Sequence, residues 1–332
     1  MQDCKAVTQA LFTIIFTMYA MSAEPSIWKE ADRLLEILVN INSLKNIDDL
    51  FCNHMKPLIT SIHNDCASWT VYSAESQIFC ACLSRNGIAI SHNIDLVLPI
   101  FKKTMSKDAD PELKLRHFIL LSEYFLNNQN LYCIEDPHRF VSTIIEELIM
   151  PGLIWTAGRA AEAIRTAAVC CLCAILQNTI VNPDKKDEIN KIQLSTNEEN
   201  KDSRKPMVEQ FPSIFDKIVP VLISLVDDKA KKTRLYSMRA IRLLVKIGQK
   251  LSCLDDEHVH RTYPVILKRL DDGCDDVRYA AVEMLVDVWS AVSKDYDTVF
   301  SKSHIDALYT TMIIHLDDPE SRFQEIMLGN HQ

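Results

Sequence analysis

The stretch Tyr263–Leu285 sets the pattern that the rest of the chain repeats. Apolar residues recur at Tyr263, Val265, Ile266, Leu267 and Leu270, and again at Val277, Ala280, Ala281, Met284 and Leu285. Both groups fit a period of 3.6 residues, which predicts two short amphipathic helices. Asp271 and Asp272 end the first. Asp275 is expected to cap the second, because a carboxylate there accepts from the free amides of the first turn. A hairpin with one apolar face cannot bury that face alone and needs copies on either side.

The copies are present. PVLISLVDD (Pro220–Asp228), followed by Arg234 and Ala240, lies 44 residues before PVILKRLDD (Pro264–Asp272), followed by Arg278 and Ala281. A third copy, ALYTTMIIHLDDPESRFQEIML, begins at Ala307 and places Asp317 and Asp318 46 residues beyond Asp271 and Asp272. Two helices per roughly 40–47 residues is the HEAT or armadillo period. The expected fold is all-α: an α-solenoid of HEAT/armadillo-type two-helix repeats.

Upstream, the same periodicity predicts helices over 2–21, 28–39, 50–62, 74–83, 94–105, 108–125, 140–150 and 159–176. Pro57 is expected to kink or break its helix, and Pro151 to end one. Asp110, Pro111 and Glu112 suit a helix start, since proline needs no hydrogen bond there and the acids meet the positive helix end. Asp318, Pro319 and Glu320 repeat the device. Ser73 precedes another start. Trp69 and Tyr72, in a connection, are expected to plug a groove between helices. From 182 to 205 the pattern stops in favour of a polar segment of mixed charge, read as an inserted loop that exposes Ser195, Thr196 and Ser203. A tolerated insertion is preferred there to a binding or modification loop. Removing about 24 residues reduces the 69-residue step from Arg165 to Arg234 to about one repeat. The organisation expected is therefore 1–181, an N-terminal part of the solenoid; 182–205, a flexible loop; and 206–332, the C-terminal repeats. Ile326, Met327 and Leu328 are expected near an open end of the array.

Composition narrows function more than fold. The chain has 332 residues, 48% hydrophobic, and only 6 glycines, too little turn chemistry for a sheet-rich fold. A net charge of −9 removes a whole-chain basic footprint for nucleic acid, although Lys231, Lys232, Arg234, Arg239 and Arg242 form a local basic group. Eleven cysteines, among them Cys170, Cys171 and Cys173, lie mostly within apolar helical pattern. They read as small buried hydrophobes in a reducing compartment, with no metal or redox site. The apolar run Ala10–Met21 is short for a membrane span and lacks a basic leader, so it reads as a buried repeat helix. No phosphate-binding, metalloprotease or nucleophile-elbow motif occurs. Asp271, Asp272, Asp275 and Asp276 lack the glycine and closing glutamate of a calcium loop. Asp255, Asp256, Glu257, His258 and His260 read as a solvated helix junction rather than a metal cluster. Neither enzyme activity nor a cofactor, nucleic-acid or membrane partner is expected.

Two groups of residues stand out. Arg116, Arg165, Arg234 and Arg278 each fall in a second helix. With Asp228, Asp272 and Asp318 they are expected to form a structural ladder, a guanidinium satisfying turn carboxylates and carbonyls of its own or a neighbouring repeat. Arg322 can serve in the last copy. The nearby acids argue against phosphate binding. The second helices are expected to line the concave face of a solenoid, which nominates Lys114, Glu162, Lys231, Arg239, Arg242, Glu283 and Asp287 for partner binding.

LIWTAGRAAEAIRTAAVCCLCAIL (Leu153–Leu176), the Tyr263–Leu285 hairpin and the Ala307–Leu328 copy resemble the C-terminal HEAT repeats of the dynein axonemal assembly factor 5 family. The resemblance runs from about Leu50 and is strongest after Leu153. Family members are longer, with more N-terminal repeats, which implies a C-terminal portion or a shortened isoform. It implies a cytoplasmic, non-enzymatic factor for preassembly of outer and inner dynein arms of motile cilia. Axonemal dynein chains, other assembly factors and chaperones would be its partners. It carries over no catalytic residues and no mapped binding motif. Periodicity alone leaves open a generic α-solenoid adaptor in trafficking or nuclear transport, or a phosphatase-type regulatory scaffold.

Overall fold

A computed structural model describes residues 2–127, 129–177, 205–318 and 320–327. Among them the regular structure is helical throughout, built from repeated helix pairs, with no strand. Contacts divide the chain into two compact units, Met1–Thr179 (unit 1) and Ile180–Gln332 (unit 2). The loop expected over 182–205 lies, except for Lys205, outside the described residues, as do Ser195, Thr196 and Ser203.

Unit 1 contains α1 (Gln2–Met21), α2 (Pro25–Ile41), α3 (Ile47–Ile62), α4 (Ala74–Arg85), α5 (Gly87–Ser91), α6 (Ile94–Thr104), α7 (Pro111–Leu126), α8 (Gln129–Tyr132), α9 (Pro137–Ile144), α10 (Met150–Leu153) and α11 (Arg159–Ile175). First helices stack on first helices, α3 on α6, and second on second, α4 on α7 on α11. Aromatic rings fill the seams. Phe12 and Phe16 of α1 meet Phe51 edge-on, at 5.4 Å between centroids in both cases. Phe79 of α4 meets Phe101 of α6 at 5.2 Å and His117 of α7 at 5.7 Å. Each of these phenylalanines is fully buried, worth about 1.5–3 kcal/mol against exposure. Trp69 is buried against Phe79 and does plug its groove, whereas Tyr72 points into solvent.

Local chemistry sets the helix ends. Asn46 accepts from the Asp49 amide at 2.8 Å, and Asp110 from the Leu113 amide at 2.8 Å, with Pro111 opening α7. Ser73 makes no side-chain cap; its hydroxyl instead accepts from the Thr70 amide. Neither helix ends at its proline. α3 continues through Pro57, because that residue lies on the exposed side, where the carbonyl it leaves unpaired faces water. Nor does the chain leave the helix before Pro151. It widens into a π-helical segment, Ile145–Ile149, and continues as α10 with Pro151 in the first turn, where no amide is needed. Behind it, a side chain at Gly152 would stand 2.8 Å from Phe118 and 3.1 Å from Ala168, so the close approach of α10 to α7 and α11 depends on that glycine.

Unit 2 contains α12 (Lys205–Leu225), α13 (Lys231–Leu251), α14 (Asp256–Arg269), α15 (Asp275–Trp289), α16 (Lys302–His315) and α17 (Ser321–Met327). The same stacking rule holds: α12, α14 and α16 form one row, and α13, α15 and α17 the other. The hairpin read from Tyr263 starts seven residues earlier. Asp255 and His258 form a reciprocal capping box, the carboxylate accepting from the His258 amide at 3.0 Å, and the helix then runs through Pro264. Asp275 is not the cap of α15. Cys274 occupies that position without a side-chain bond, and Asp275 sits inside the first turn, 3.1 Å from Arg278. The third copy likewise begins at Lys302 rather than Ala307.

Candidate binding face and its inter-repeat ion pairs

The repeat places opposite charges one step apart on stacked helices. Along the second-helix row, Lys231 of α13 reaches Asp276 of α15 at 2.5 Å. Arg242 of α13 holds two acids of α15, Glu283 at 2.5 Å and Asp287 at 2.6 Å, and Lys246 adds a third contact to Asp287 at 3.0 Å. Along the first-helix row, Arg261 reaches back to Asp216 at 2.7 Å, and Lys268 and Arg269 to Asp227 at 2.6 and 3.1 Å. Five of the nominated face residues, Lys231, Arg239, Arg242, Glu283 and Asp287, thus come from the same two helices. Four of them pair with each other or across the row. Arg239, one turn before Arg242, is exposed and makes no hydrogen bond or ion pair among the described residues.

The turns carry a tighter set. Arg234 donates to its own turn carbonyls, Asp228 at 3.0 Å and Lys229 at 3.1 Å, and to the Asp272 carboxylate of the next repeat at 3.0 Å. Asp272 is nearly buried and also takes Arg269 and the Cys274 amide. One repeat on, Arg278 reaches Asp318 at 2.7 Å, Asp275 at 3.1 Å and Glu320 at 3.4 Å. The Asp228 carboxylate accepts from the Ala230 amide, and that of Asp318 from the Glu320 amide, closing each turn. Arg322 lies over the Tyr279 ring at 4.8 Å rather than on an acid. Bonds from guanidinium to a half-buried carboxylate contribute about 1.5–3 kcal/mol, against roughly 0.2–1 for exposed pairs.

Unit 1 treats its two ladder arginines differently. Arg165 is buried and donates to the Thr156 carbonyl at 2.8 Å, fastening the turn in which Gly158 adopts a φ of +113°. Arg116 stands exposed with no ion pair among the described residues, and Asp110 of the preceding turn is engaged in capping α7. Of the face residues here, Lys114 donates to the Lys107 carbonyl at 2.7 Å, and Glu162 is exposed with no side-chain partner among the described residues. Sequence reasoning did not single out Asp216, Asp227, Lys246, Arg261, Lys268 or Arg269. Their signal was available: each acid stands 41–45 residues from a base, one repeat away.

Among the described residues no group of three or more His, Cys, Asp or Glu could hold an ion. Asp255 and His258 are spent on the cap, and His260 stacks on His304 at 3.8 Å. Burial, with His304 beside it, lowers the His260 pKa. Cys170 and Cys173 have a C-x-x-C spacing, yet Cys171 and Cys173 are buried, and burial pushes the Cys171 thiol up to about 12. The crevice lined by Leu83, Ile90, Val97, Phe101, Leu121 and Tyr124 holds no space for a water molecule. No described helix is long and apolar enough to cross a membrane.

No protein-family model matches the chain. Over 328 residues, 98% of its length, it is 29% identical to dynein axonemal assembly factor 5 of Xenopus laevis and 26% identical to that of Homo sapiens. It spans only 36% and 35% of those proteins. The crystal structures of two engineered proteins share its backbone course. One has a TM-score of 0.52 at 16% identity, over 96% of this chain and 66% of that one; the other has 0.50 at 15%, over 82% and 93%. Likeness at that identity concerns the fold alone. At the level of sequence the chain is a helical-repeat scaffold distantly homologous to dynein axonemal assembly factor 5.

Proposed function

We propose that this chain is a non-catalytic HEAT-repeat scaffold in the cytoplasmic preassembly of axonemal dynein arms. Its ligands are then dynein chains, their other assembly factors and the chaperones that accompany them. The observation that carries the reading is homology to dynein axonemal assembly factor 5 along 98% of the chain. A stacked-helix frame with exposed charge is the kind of surface such a role requires. Arg242, Glu283 and Asp287 are occupied in holding α13 to α15. Arg239 and Glu162 are therefore the face residues assigned here to partner contact.

Affinity purification of the tagged chain from ciliating-cell cytoplasm, with mass spectrometry of what it retains, tests this. A full-length relative is run beside it. Recovery of axonemal dynein chains by both, reduced for Arg239→Glu, is the expected result. Recovery by the relative alone would place binding in the part of the relative that this chain does not match. Recovery by neither would contradict the dynein reading.

A further inference from the structure

Seven of the 21 residues of α13 are lysine or arginine, and none is acidic. Local helix chemistry opposes that composition. Lys231 and Lys232 open the helix, where the positive end of its dipole favours acids. Arg239, Arg242, Lys246 and Lys250 follow at steps of three and four, so like charges stand side by side. Packing within unit 2 accounts for part of the set. Arg234 fastens its own turn and Asp272, while Lys231, Arg242 and Lys246 hold the acids of α15. Lys232 and Arg239 are left over. Both are exposed, and neither has an ion pair among the described residues. A residue set that breaks a local rule without a gain in packing points to function.

Lys232, Arg239 and Lys246 follow at seven-residue steps, about 10 Å each, along one side of the helix. Tyr236 and Leu243, both partly exposed, stand between them. Cationic and apolar positions thus alternate along the stripe. Arg239 lies opposite the buried side, which Ser237, Ile241, Leu244 and Gly248 form. The stripe therefore faces solvent rather than the row of stacked helices, and a further repeat at either end of the chain would not cover it. One repeat on, at 44 residues, the same places hold Asp276, Glu283 and Ser290, so the stripe stops at α15. It is one helix wide and bordered by acids.

We infer that this stripe docks an acidic amphipathic helix of a partner protein. Carboxylates at heptad spacing meet Lys232, Arg239 and Lys246, and apolar side chains between them meet Tyr236 and Leu243. Charge selects this occupant. A second copy would offer either the same cations or the acids of α15, which already have partners. Nucleic acid spreads its phosphates wider than one helix and would meet Asp276 and Glu283, on a chain of net charge −9. An acidic helix meets the cations and relieves the crowding of like charge along α13. Lys246 can keep Asp287 and still take a partner carboxylate, since an ammonium has three donors. The inference rests on the proposed function only in that Arg239 meets a partner, and it adds the chemistry of that partner.

Fluorescence anisotropy tests it, with the purified full chain and a fluorescein-labelled peptide of three heptads that carries Glu and Leu on one face. Binding is expected at about 50 mM salt and should weaken at least about tenfold at about 0.5 M. Lys232→Glu combined with Arg239→Glu should also weaken it at least about tenfold, with the helical circular dichroism unchanged. Lys302→Glu, at an exposed position on α16, should leave binding intact. The same peptide with Gln in place of Glu should not bind. Equal binding of the Gln peptide, tighter binding of an oligothymidylate of matched charge, binding kept by the double variant, or no binding up to about 1 mM would each overturn the inference. Peptide binding without recovery of dynein chains from cytoplasm would contradict the dynein reading alone. Recovery of dynein chains without peptide binding would contradict this inference alone.

Discussion

In unit 1, aromatic rings fill the seams between stacked helices; in unit 2, an aliphatic core that includes Ile241, Leu244, Met284 and Leu285 is laced at its edge by ion pairs between repeats. Phe79, Phe101 and His117 lock α4, α6 and α7 together in a fully buried cluster. At the equivalent seam between α13 and α15, Arg242 and Lys246 grip Glu283 and Asp287, all partly open to water. Unit 2 has buried rings as well: Phe215 lies against Phe211 and His258, and Tyr263 against Trp289 and His304. The difference matters because apolar burial is not weakened by charge screening, whereas partly exposed ion pairs are screened, with a Debye length of about 3 Å at 1 M salt. Two units with the same helix-pair plan should therefore fail under different conditions.

The largest effect is expected from the rings. Phe79→Ala removes a fully buried side chain that touches Trp69, Phe101 and His117, and should cost about 3–5 kcal/mol in unit 1. Denaturant unfolding followed by hydrogen exchange should show α4, α6 and α7 losing protection while α13–α15 keep theirs. Second comes pH. Burial pushes His117 down to about 3, so its neutral form is favoured in the fold and the unfolded chain takes up the proton first. Its stabilising contribution is complete above about pH 6.5 and is lost on acidification towards pH 3, at about 1.4 kcal/mol per pH unit. Burial lowers His54 of unit 1 in the same direction. His117→Leu should flatten the acid slope measured by urea midpoints of unit 1 between pH 6.5 and 4.5.

Smaller effects are expected in unit 2. Arg234→Ala strips a guanidinium from two turn carbonyls and from nearly buried Asp272, which keeps Arg269, and should cost about 2 kcal/mol. Breaking Arg242 from Asp287 should cost less. A double-mutant cycle with Arg242→Ala and Asp287→Ala should give a coupling of about 0.5–1 kcal/mol at low salt, shrinking as salt is raised.

The repeat register was legible because it is written twice, in apolar spacing and in acid pairs 44 residues apart. Helix starts were legible where one residue decides them, as with Asp110. Asp275 was misread because a capping carboxylate and a first-turn carboxylate look alike in sequence; extended backbone at Cys274 separates them. No break occurs at Pro57, and the helix does not end before Pro151; composition does not show which side of a helix faces water or where a first turn falls. On the binding face, Arg239 and Arg242 looked equivalent from their shared helix. Only the stacking of α13 on α15 shows that Arg242 has two acids in reach and Arg239 has none. The ring-filled core of unit 1 gave no repeat signal, since Phe51, Phe79, Phe101 and Phe118 do not fall at one recurring spacing.

The most direct measurement is hydrogen exchange of the intact chain at about 50 mM and about 1 M sodium chloride, read helix by helix. Exchange should speed up in α13, α14 and α15 at high salt and stay unchanged in α4, α6 and α7. Equal responses in the two units, or faster exchange in unit 1 alone, would contradict the division between a ring-packed unit and a charge-laced one.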